Sequence, residues 1–235
     1  MERSFEAIVL AGGLGTRLRD TVPDRPKAMV EVAGRPFLEL LLDRMSRSGF
    51  AKIVLATGHL HEVIERHFGC SWAGMELVYS VEDHPLGTGG AAWQALKLTS
   101  RNDVFLINGD TFFAVDFVAL HRFHRSLGAD VTLALKPMKN FDRYGTVELK
   151  DGRITGFREK TKTDEGLING GVYLLNRQVS SRVSFPERFS IETDFLEKKV
   201  GEITIGGFVQ DGYFIDIGIP DDYARAQWEL PRLEE

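Results

Sequence analysis

Residues 5–18 read Phe5-Glu-Ala-Ile-Val-Leu-Ala-Gly-Gly-Leu-Gly-Thr-Arg-Leu18, an apolar run that passes directly into three glycines within four positions. A short apolar run bounded by glycine is typical of a buried strand. Glycines at such a point let the backbone turn sharply and direct its N–H groups toward an anionic ligand such as a phosphate chain. The stretch therefore predicts an α/β protein whose first strand ends at a phosphate-binding loop.

The glycine spacing does not fit two familiar phosphate-binding loops. A dinucleotide-binding fingerprint that began at Gly13 would need glycine or alanine at position 18, which is Leu18. A Walker A loop that began at Gly12 would need glycine at position 17, which is Arg17. Taken alone, the glycines are also compatible with a tight strand-to-helix turn that binds nothing.

The composition is that of an ordinary globular protein. The chain has 235 residues, of which 43% are hydrophobic, and 29 Lys and Arg against 34 Asp and Glu give a formal charge of −5. This balance excludes a disordered or fibrous chain, and we expect no nucleic-acid surface and no membrane span. A single cysteine, Cys70, and an acidic N-terminal segment predict a cytoplasmic protein.

Strand-like and helix-like patterns alternate through the first half of the chain. The strand-like runs are 5–11, 51–57, 76–81 and 103–107, and the helix-like runs are 36–48, 60–68 and 90–98. Alternation of this kind predicts a Rossmann-like, mostly parallel central sheet that is flanked by helices.

The second half is richer in strands. Its strand-like runs are 130–136, 144–149, 153–158, 168–175 and 203–209. Asp151-Gly152 tolerates the positive φ angles of a type I′ turn, so the alternating segment around it predicts a β-hairpin. We expect one domain over 1–235, with a first lobe at about 1–130 and a smaller mixed-sheet lobe at about 131–235 laid against it.

Cations and carboxylates accompany the glycine loop. Lys27 follows a proline and gives a compact charge, and Arg17 gives a forked donor, both of which suit phosphoryl oxygens. Asp110 follows an apolar strand, where α/β proteins bind ligands, and Asp216 lies in the apolar stretch 214–217. Two carboxylates with phosphate oxygens predict a Mg²⁺ site. Separately, each aspartate could be a helix cap or a turn residue.

Residues Leu10–Leu18 with Pro26-Lys27 resemble the signature of the sugar-1-phosphate nucleotidylyltransferases, and the resemblance extends from residue 5 to about 225. It implies a GT-A-like nucleotidyltransferase fold and transfer of a nucleotidyl group from an NTP to a sugar 1-phosphate. The stretch Leu86-Gly-Thr-Gly-Gly90 is most similar to family members that use GTP and D-glycero-α-D-manno-heptose 1-phosphate. The two lobes would then be a nucleotide-binding and a sugar-phosphate lobe.

The resemblance also implies a role for each matching residue. The catalytic residues would be Arg17, Lys27, Asp110 and Asp216, with Asp110 and Asp216 holding Mg²⁺. The nucleotide would contact Leu10, Ala11, Gly12, Gly13, Gly15, Thr16, Leu86, Gly87 and Thr88. The acceptor would contact Gly145, Glu159, Lys160 and Asn169, with Glu159 on sugar hydroxyls and Lys160 on the sugar phosphate.

Several alternatives stay open at this point. The acceptor could be another hexose 1-phosphate, and the donor another NTP. A metal-dependent glycosyltransferase would typically carry two acids one residue apart after a strand, whereas Asp110 is followed by Thr111 and Phe112. A non-catalytic nucleotide-sugar sensor would not need the full set of charges. A homo-oligomer is compatible with the sequence.

Overall fold

The computed structural model of the chain describes residues 4–13 and 26–233. The strands in these ranges are β1 Phe5–Leu10, β2 Glu31–Val32, β3 Arg35–Pro36, β4 Phe50–Thr57, β5 Ser71–Trp72, β6 Met75–Val81, β7 Asp103–Asn108, β8 Thr111–Phe113, β9 Val131–Phe141, β10 Thr146–Lys150, β11 Arg153–Arg158, β12 Thr163–Asn176, β13 Ile205–Val209 and β14 Phe214–Asp216. The α-helices are α1 Phe37–Arg47, α2 His61–Phe68, α3 Gly87–Leu96, α4 Phe117–Leu127, α5 Val179–Arg182, α6 Glu197–Lys199 and α7 Pro220–Glu229. A π-helical turn, Ile191–Leu196, precedes α6, and 3₁₀ turns span Lys27–Met29 and Pro231–Leu233.

Ten of the described strands form one sheet in the order β10-β11-β13-β9-β12-β7-β1-β4-β6-β5. Strands β7, β1, β4 and β6 run parallel, as the alternating pattern predicts. The strands of the second half do not form a sheet of their own, because β12 pairs antiparallel with β7 on one side and with β9 on the other. The predicted fold class is confirmed, with the mixed half joined to the parallel half edge to edge. The division into two functional lobes remains a prediction.

Both faces of the sheet are buried because successive side chains of each central strand point to opposite sides. On one face, Val9 and Phe105 pack with helices α1, α2 and α4. On the other face, Ile8 and Leu106 pack with α3 and with Phe195 of the π-helical turn. This burial on two faces is why the first strands read as continuous apolar runs.

The predicted hairpin is confirmed. Strands β10 and β11 pair antiparallel, with Lys150 opposite Arg153. Asp151 and Gly152 between them have φ angles of 51° and 76°, as a type I′ turn requires.

The elements that were not expected from the sequence include two short strands and the starts of two helices. Strands β8 and β14 have three residues each and pair with one another, far apart in the chain. Helix α3 begins at Gly87 rather than near residue 90. Helix α4 begins after Asp116, whose side chain caps it by accepting a hydrogen bond from the Ala119 N–H at 2.9 Å.

Gly109 allows β1 and β7 to end side by side. Its N–H donates to the Leu10 carbonyl at 3.0 Å, and a Cβ at this position would lie 2.5 Å from that carbonyl oxygen. We predict that Gly109→Ala lowers the free energy of unfolding by about 1–3 kcal/mol because the added methyl group forces the two strands apart. Urea denaturation measures the change.

Gly13→Ala is the matched control, because a Cβ at Gly13 would have no neighbour within 4 Å among the residues that the structure describes. The free energy of unfolding of this variant should stay within about 0.5 kcal/mol of the parent. Equal stabilities of the two variants would contradict the close-contact explanation.

Candidate functional site

A cleft of about 820 Å³ opens at the carboxyl ends of the parallel strands, on the side of β7 that faces β12. Ligands of open α/β sheets bind at this edge. The residues that line the cleft are Gly13, Lys27, Asn108, Asp110, Thr111, Arg143, Tyr144, Gly145, Lys160, Asn169, Gly170, Gly171, Tyr173, Glu192, Phe214, Asp216, Gly218 and Ile219. The cleft thus brings together residues from distant parts of the chain, several of which the sequence predicts to be site residues.

Asp110 and Asp216 are brought together by backbone pairing. In the β8–β14 ladder Asp216 lies opposite Thr111, and the Ile217 N–H donates to the Asp110 carbonyl at 3.0 Å. The carboxylate of Asp216 in turn accepts a hydrogen bond from the Gly218 N–H at 2.7 Å. The sheet therefore fixes both backbones beside each other before any ligand is considered.

Lys27 adds a cation to this pair. Its turn, Lys27–Met29, is anchored by the buried side chains of Ala28 and Met29, and its ammonium group donates to a carboxylate oxygen of Asp110. A Cβ at Gly218 would lie 2.7 Å from the Lys27 Nζ atom. Glycine at 218 thus leaves the space that the lysine needs.

The electrostatic environment of Asp216 is unfavourable to its charge. Burial raises the pKa of the Asp216 carboxyl, and the neighbouring Asp110 raises it further, while the Gly218 N–H and Lys27 act in the opposite direction. Two carboxylates in this position are a hard-oxygen donor pair of the kind that Mg²⁺ prefers. The described residues contain no group of three or more His, Cys, Asp or Glu that could hold a metal. Phosphate oxygens would have to complete the ligand set.

The glycine loop is described up to Gly13. The Ala11 N–H donates to the Ala56 carbonyl at 2.8 Å, and the Leu10 carbonyl accepts from Gly109, so both residues help to hold neighbouring strands together. Gly13 lines the large cleft. The predicted residues Gly15, Thr16 and Arg17 lie outside the described residues.

A second cleft, of about 480 Å³, lies on the other side of Gly12, between the ends of β4 and β6. The carboxyl group of Glu82 lines it, with Oε2 accepting from the Leu86 N–H at 2.9 Å. Burial raises the pKa of this carboxyl, although the Leu86 N–H and His84 lower it in part. A Cβ at Gly12 would lie 2.9 Å from Glu82 Oε1. Glu82 was not predicted from the sequence, where its only signal is its place directly after a parallel strand.

The glycines around Thr88 are in contact with protein. A Cβ at Gly87 would lie 2.5 Å from the Phe189 carbonyl oxygen, and a Cβ at Gly89 would lie 2.1 Å from the Phe189 ring. Thr88 itself donates to Glu192. These contacts explain the glycines without a ligand, and nucleotide contacts of Leu86, Gly87 and Thr88 remain a prediction.

On the acceptor side, Gly145, Lys160 and Asn169 line the large cleft, whereas Glu159 is exposed and outside its lining. A sugar contact of Glu159 therefore remains a prediction from resemblance alone.

Two charged residues that the sequence analysis missed also line the large cleft. Arg143 donates to the buried Asp222 at 3.0 Å, which holds its guanidinium group at the wall. Glu192 accepts hydrogen bonds from the hydroxyl groups of Thr88, Ser190 and Tyr173. Neither residue has a local sequence signal, because each is a single charged residue in an unremarkable segment.

Among the helices of the described residues, none is both long enough and apolar enough to pass through a lipid bilayer.

Comparisons with known proteins identify the family of the chain. The nucleotidyl transferase family model matches residues 6–232. The D-glycero-alpha-D-manno-heptose 1-phosphate guanylyltransferase of Aneurinibacillus thermoaerophilus is 49% identical over 226 residues, which cover 96% of this chain and 98% of that protein. The enzyme of the same name from Campylobacter jejuni subsp. jejuni serotype O:2 is 40% identical over 220 residues, covering 93% and 97%.

A solved structure is similar over the same length. The crystal structure of HddC from Yersinia pseudotuberculosis complexed with GMP-PN superimposes with a TM-score of 0.84 at 32% identity, and the match covers 95% of this chain and 98% of that chain. With the family model matched over nearly the whole chain, the chain belongs to the nucleotidyl transferase family.

Proposed function

We propose that this enzyme transfers the guanylyl group of GTP to D-glycero-α-D-manno-heptose 1-phosphate and releases pyrophosphate. The observation that carries the proposal is the meeting of Lys27, Asp110 and Asp216 in one cleft of a chain with two guanylyltransferase relatives that match it end to end. A single, exposed cysteine, Cys70, is compatible with a cytoplasmic location, where disulfides are rare.

The reaction needs little covalent chemistry from the protein. An oxygen of the sugar phosphate attacks the α-phosphorus of GTP, a new P–O bond forms, and the bond to the β-phosphate breaks as pyrophosphate leaves. The second pKa of a phosphate monoester is about 6, so the attacking group is largely ionised at neutral pH and needs no general base. The main obstacle is the mutual repulsion of two polyanions, which positioned cations reduce.

The described residues divide this work by position. Lys27 neutralises charge on the nucleotide phosphates in the cleft that Gly13 also lines. Lys160, on the wall formed by the second half of the chain, holds the acceptor phosphate. Arg17 is proposed to assist Lys27 by resemblance only. Asp110 and Asp216 would hold Mg²⁺, which supplies Lewis-acid stabilisation of phosphoryl charge when bound.

Loss of the half-buried carboxylate of Asp216 should reduce turnover sharply. We predict that Asp216→Asn lowers kcat by about 10²–10³-fold, because an amide supplies a weaker metal ligand at the point where charge develops. Pyrophosphate release with saturating GTP and heptose 1-phosphate measures it. Asp221→Asn, at an exposed position five residues further on, is the control and should keep normal turnover. Similar activities of the two variants would contradict the assignment of Asp216.

Loss of the Lys160 ammonium group should weaken binding of the acceptor more than binding of GTP. We predict that Lys160→Ala raises the acceptor KM about 10-fold or more and the GTP KM much less, because a charge-assisted hydrogen bond is worth about 1.5–3 kcal/mol. Lys162→Ala, an exposed lysine outside the cleft lining, should change neither constant. A larger rise in the GTP KM than in the acceptor KM would contradict the assignment of Lys160 to the acceptor phosphate.

Glu82 is proposed to recognise guanine. The two oxygens of a carboxylate can accept a pair of hydrogen bonds from the N1–H and N2–H groups of guanine, whereas they repel the N1 acceptor of adenine. We predict that Glu82→Gln lowers the GTP-over-ATP ratio of kcat/KM by about 10–100-fold, in line with 1–3 kcal/mol of discrimination for a bidentate base contact. Asp83→Asn, in the same cleft, is the control. An unchanged ratio in Glu82→Gln would remove Glu82 from base recognition.

A further inference from the structure

The loop that starts helix α3 is joined by backbone to the segment before the π-helical turn. The Phe189 N–H donates to the Leu86 carbonyl at 3.0 Å, and the Gly89 N–H donates to the Phe189 carbonyl at 3.0 Å. Because the added methyl group of an alanine at Gly89 would overlap the Phe189 ring, the two segments cannot lie this close with any larger residue there. Thr88 sits in the middle of this contact.

The hydroxyl group of Thr88 makes both of its hydrogen bonds with residues 191 and 192, in the second half of the chain. It donates to Glu192 Oε2 at 2.9 Å and accepts from the Ile191 N–H at 2.9 Å. A threonine hydroxyl has one hydrogen to donate, and Glu192 receives it. The Thr88 hydroxyl group therefore has no hydrogen left for a nucleotide.

Among the described residues, the groups that donate to the Glu192 carboxylate are all hydroxyl groups. Thr88 and Ser190 donate to Oε2, at 2.9 and 3.0 Å, and Tyr173 donates to Oε1 at 2.9 Å. Within residues 4–13 and 26–233 the structure shows no salt bridge to Glu192 from a lysine, arginine or histidine. Two carboxylate oxygens offer about four acceptor positions, so three donors leave one position open.

Glu192 lines the cleft in which, on the proposed function, phosphate groups also bind. Glu192 lines the large cleft together with Asn169, whose amide donates to the Tyr173 hydroxyl at 2.8 Å. Burial and the adjacent Glu192 raise the pKa of Tyr173 well above its ordinary value, which keeps its hydroxyl protonated as a donor. A negatively charged group that only accepts hydrogen bonds repels phosphate and attracts hydroxyls.

We propose that Glu192 binds a hydroxyl group of the acceptor sugar, and that Thr88 is a positioning residue that holds its carboxylate from the opposite segment. The side chain of Thr88 then serves the acceptor, in addition to any contact of its backbone with the nucleotide that family resemblance implies. The inference rests on the proposed transfer to a sugar 1-phosphate. On this proposal, the hydrogen-bonded network Thr88–Glu192–Tyr173–Asn169 orients the acceptor sugar.

The test is the separation of the two Michaelis constants in Thr88 variants. With GTP and D-glycero-α-D-manno-heptose 1-phosphate, Thr88→Val should raise the acceptor KM about tenfold and leave the GTP KM within about twofold, because one hydrogen bond to a charged group is lost. Thr88→Ser keeps the hydroxyl and should restore the parent value. Thr193→Val, at an exposed threonine in the same segment, should change neither constant.

A double variant tests whether Thr88 acts through Glu192. Glu192→Gln should itself raise the acceptor KM, and addition of Thr88→Val should raise it little further, because both changes affect one contact. A rise in the GTP KM alone, no rescue by Thr88→Ser, or fully additive effects would overturn the inference. Turnover by the parent enzyme is read in the same assay, so failure of the proposed function is seen separately, as an absence of pyrophosphate in every variant.

Discussion

The close approach of two carboxylates, Asp110 and Asp216, with the ammonium group of Lys27 beside them is the constraint on which the site depends. Like charges do not collect in a half-buried cleft unless the backbone holds them there. Here the β8–β14 ladder and the hydrogen bond from Ile217 to the Asp110 carbonyl do so. Gly218 leaves room for the lysine. The pKa of Asp216, raised by burial and by Asp110, indicates an arrangement that a bound cation would relieve.

The two clefts share the edge of one sheet. Gly12 separates them, and the loop from Glu82 to Thr88 continues from the smaller cleft to the wall of the larger one. Transfer between two bound substrates requires that their binding sites be held at a fixed distance. The reacting groups can then align with little further loss of entropy. A single continuous sheet is well suited to this, since it allows little relative movement of its strands. Family membership and the adjacent position of the two clefts therefore both support a transfer reaction between two bound substrates.

Local patterns in the sequence were sufficient for most of the fold. The apolar run before Gly12, the amphipathic stretch after Pro36 and the Asp151-Gly152 turn each carry their own signal, and each element is confirmed. The missed elements depend on distant partners: β8 and β14 are too short to show periodicity, and the Gly87 start of α3 needs glycine because of Phe189. Glu82 and Glu192 were missed for the same reason, since a single acidic residue has no pattern until the fold supplies its neighbours.

The most direct test of the central claim is binding of Mn²⁺, as a spectroscopic substitute for Mg²⁺, in the presence of a GTP analogue that cannot be cleaved between the α- and β-phosphates. Electron paramagnetic resonance reports the bound ion. The account predicts that one ion binds to the parent enzyme and that Asp110→Asn and Asp216→Asn each weaken it to a similar degree, since both carboxylates hold the same ion. Undiminished Mn²⁺ binding in either variant would contradict the shared site.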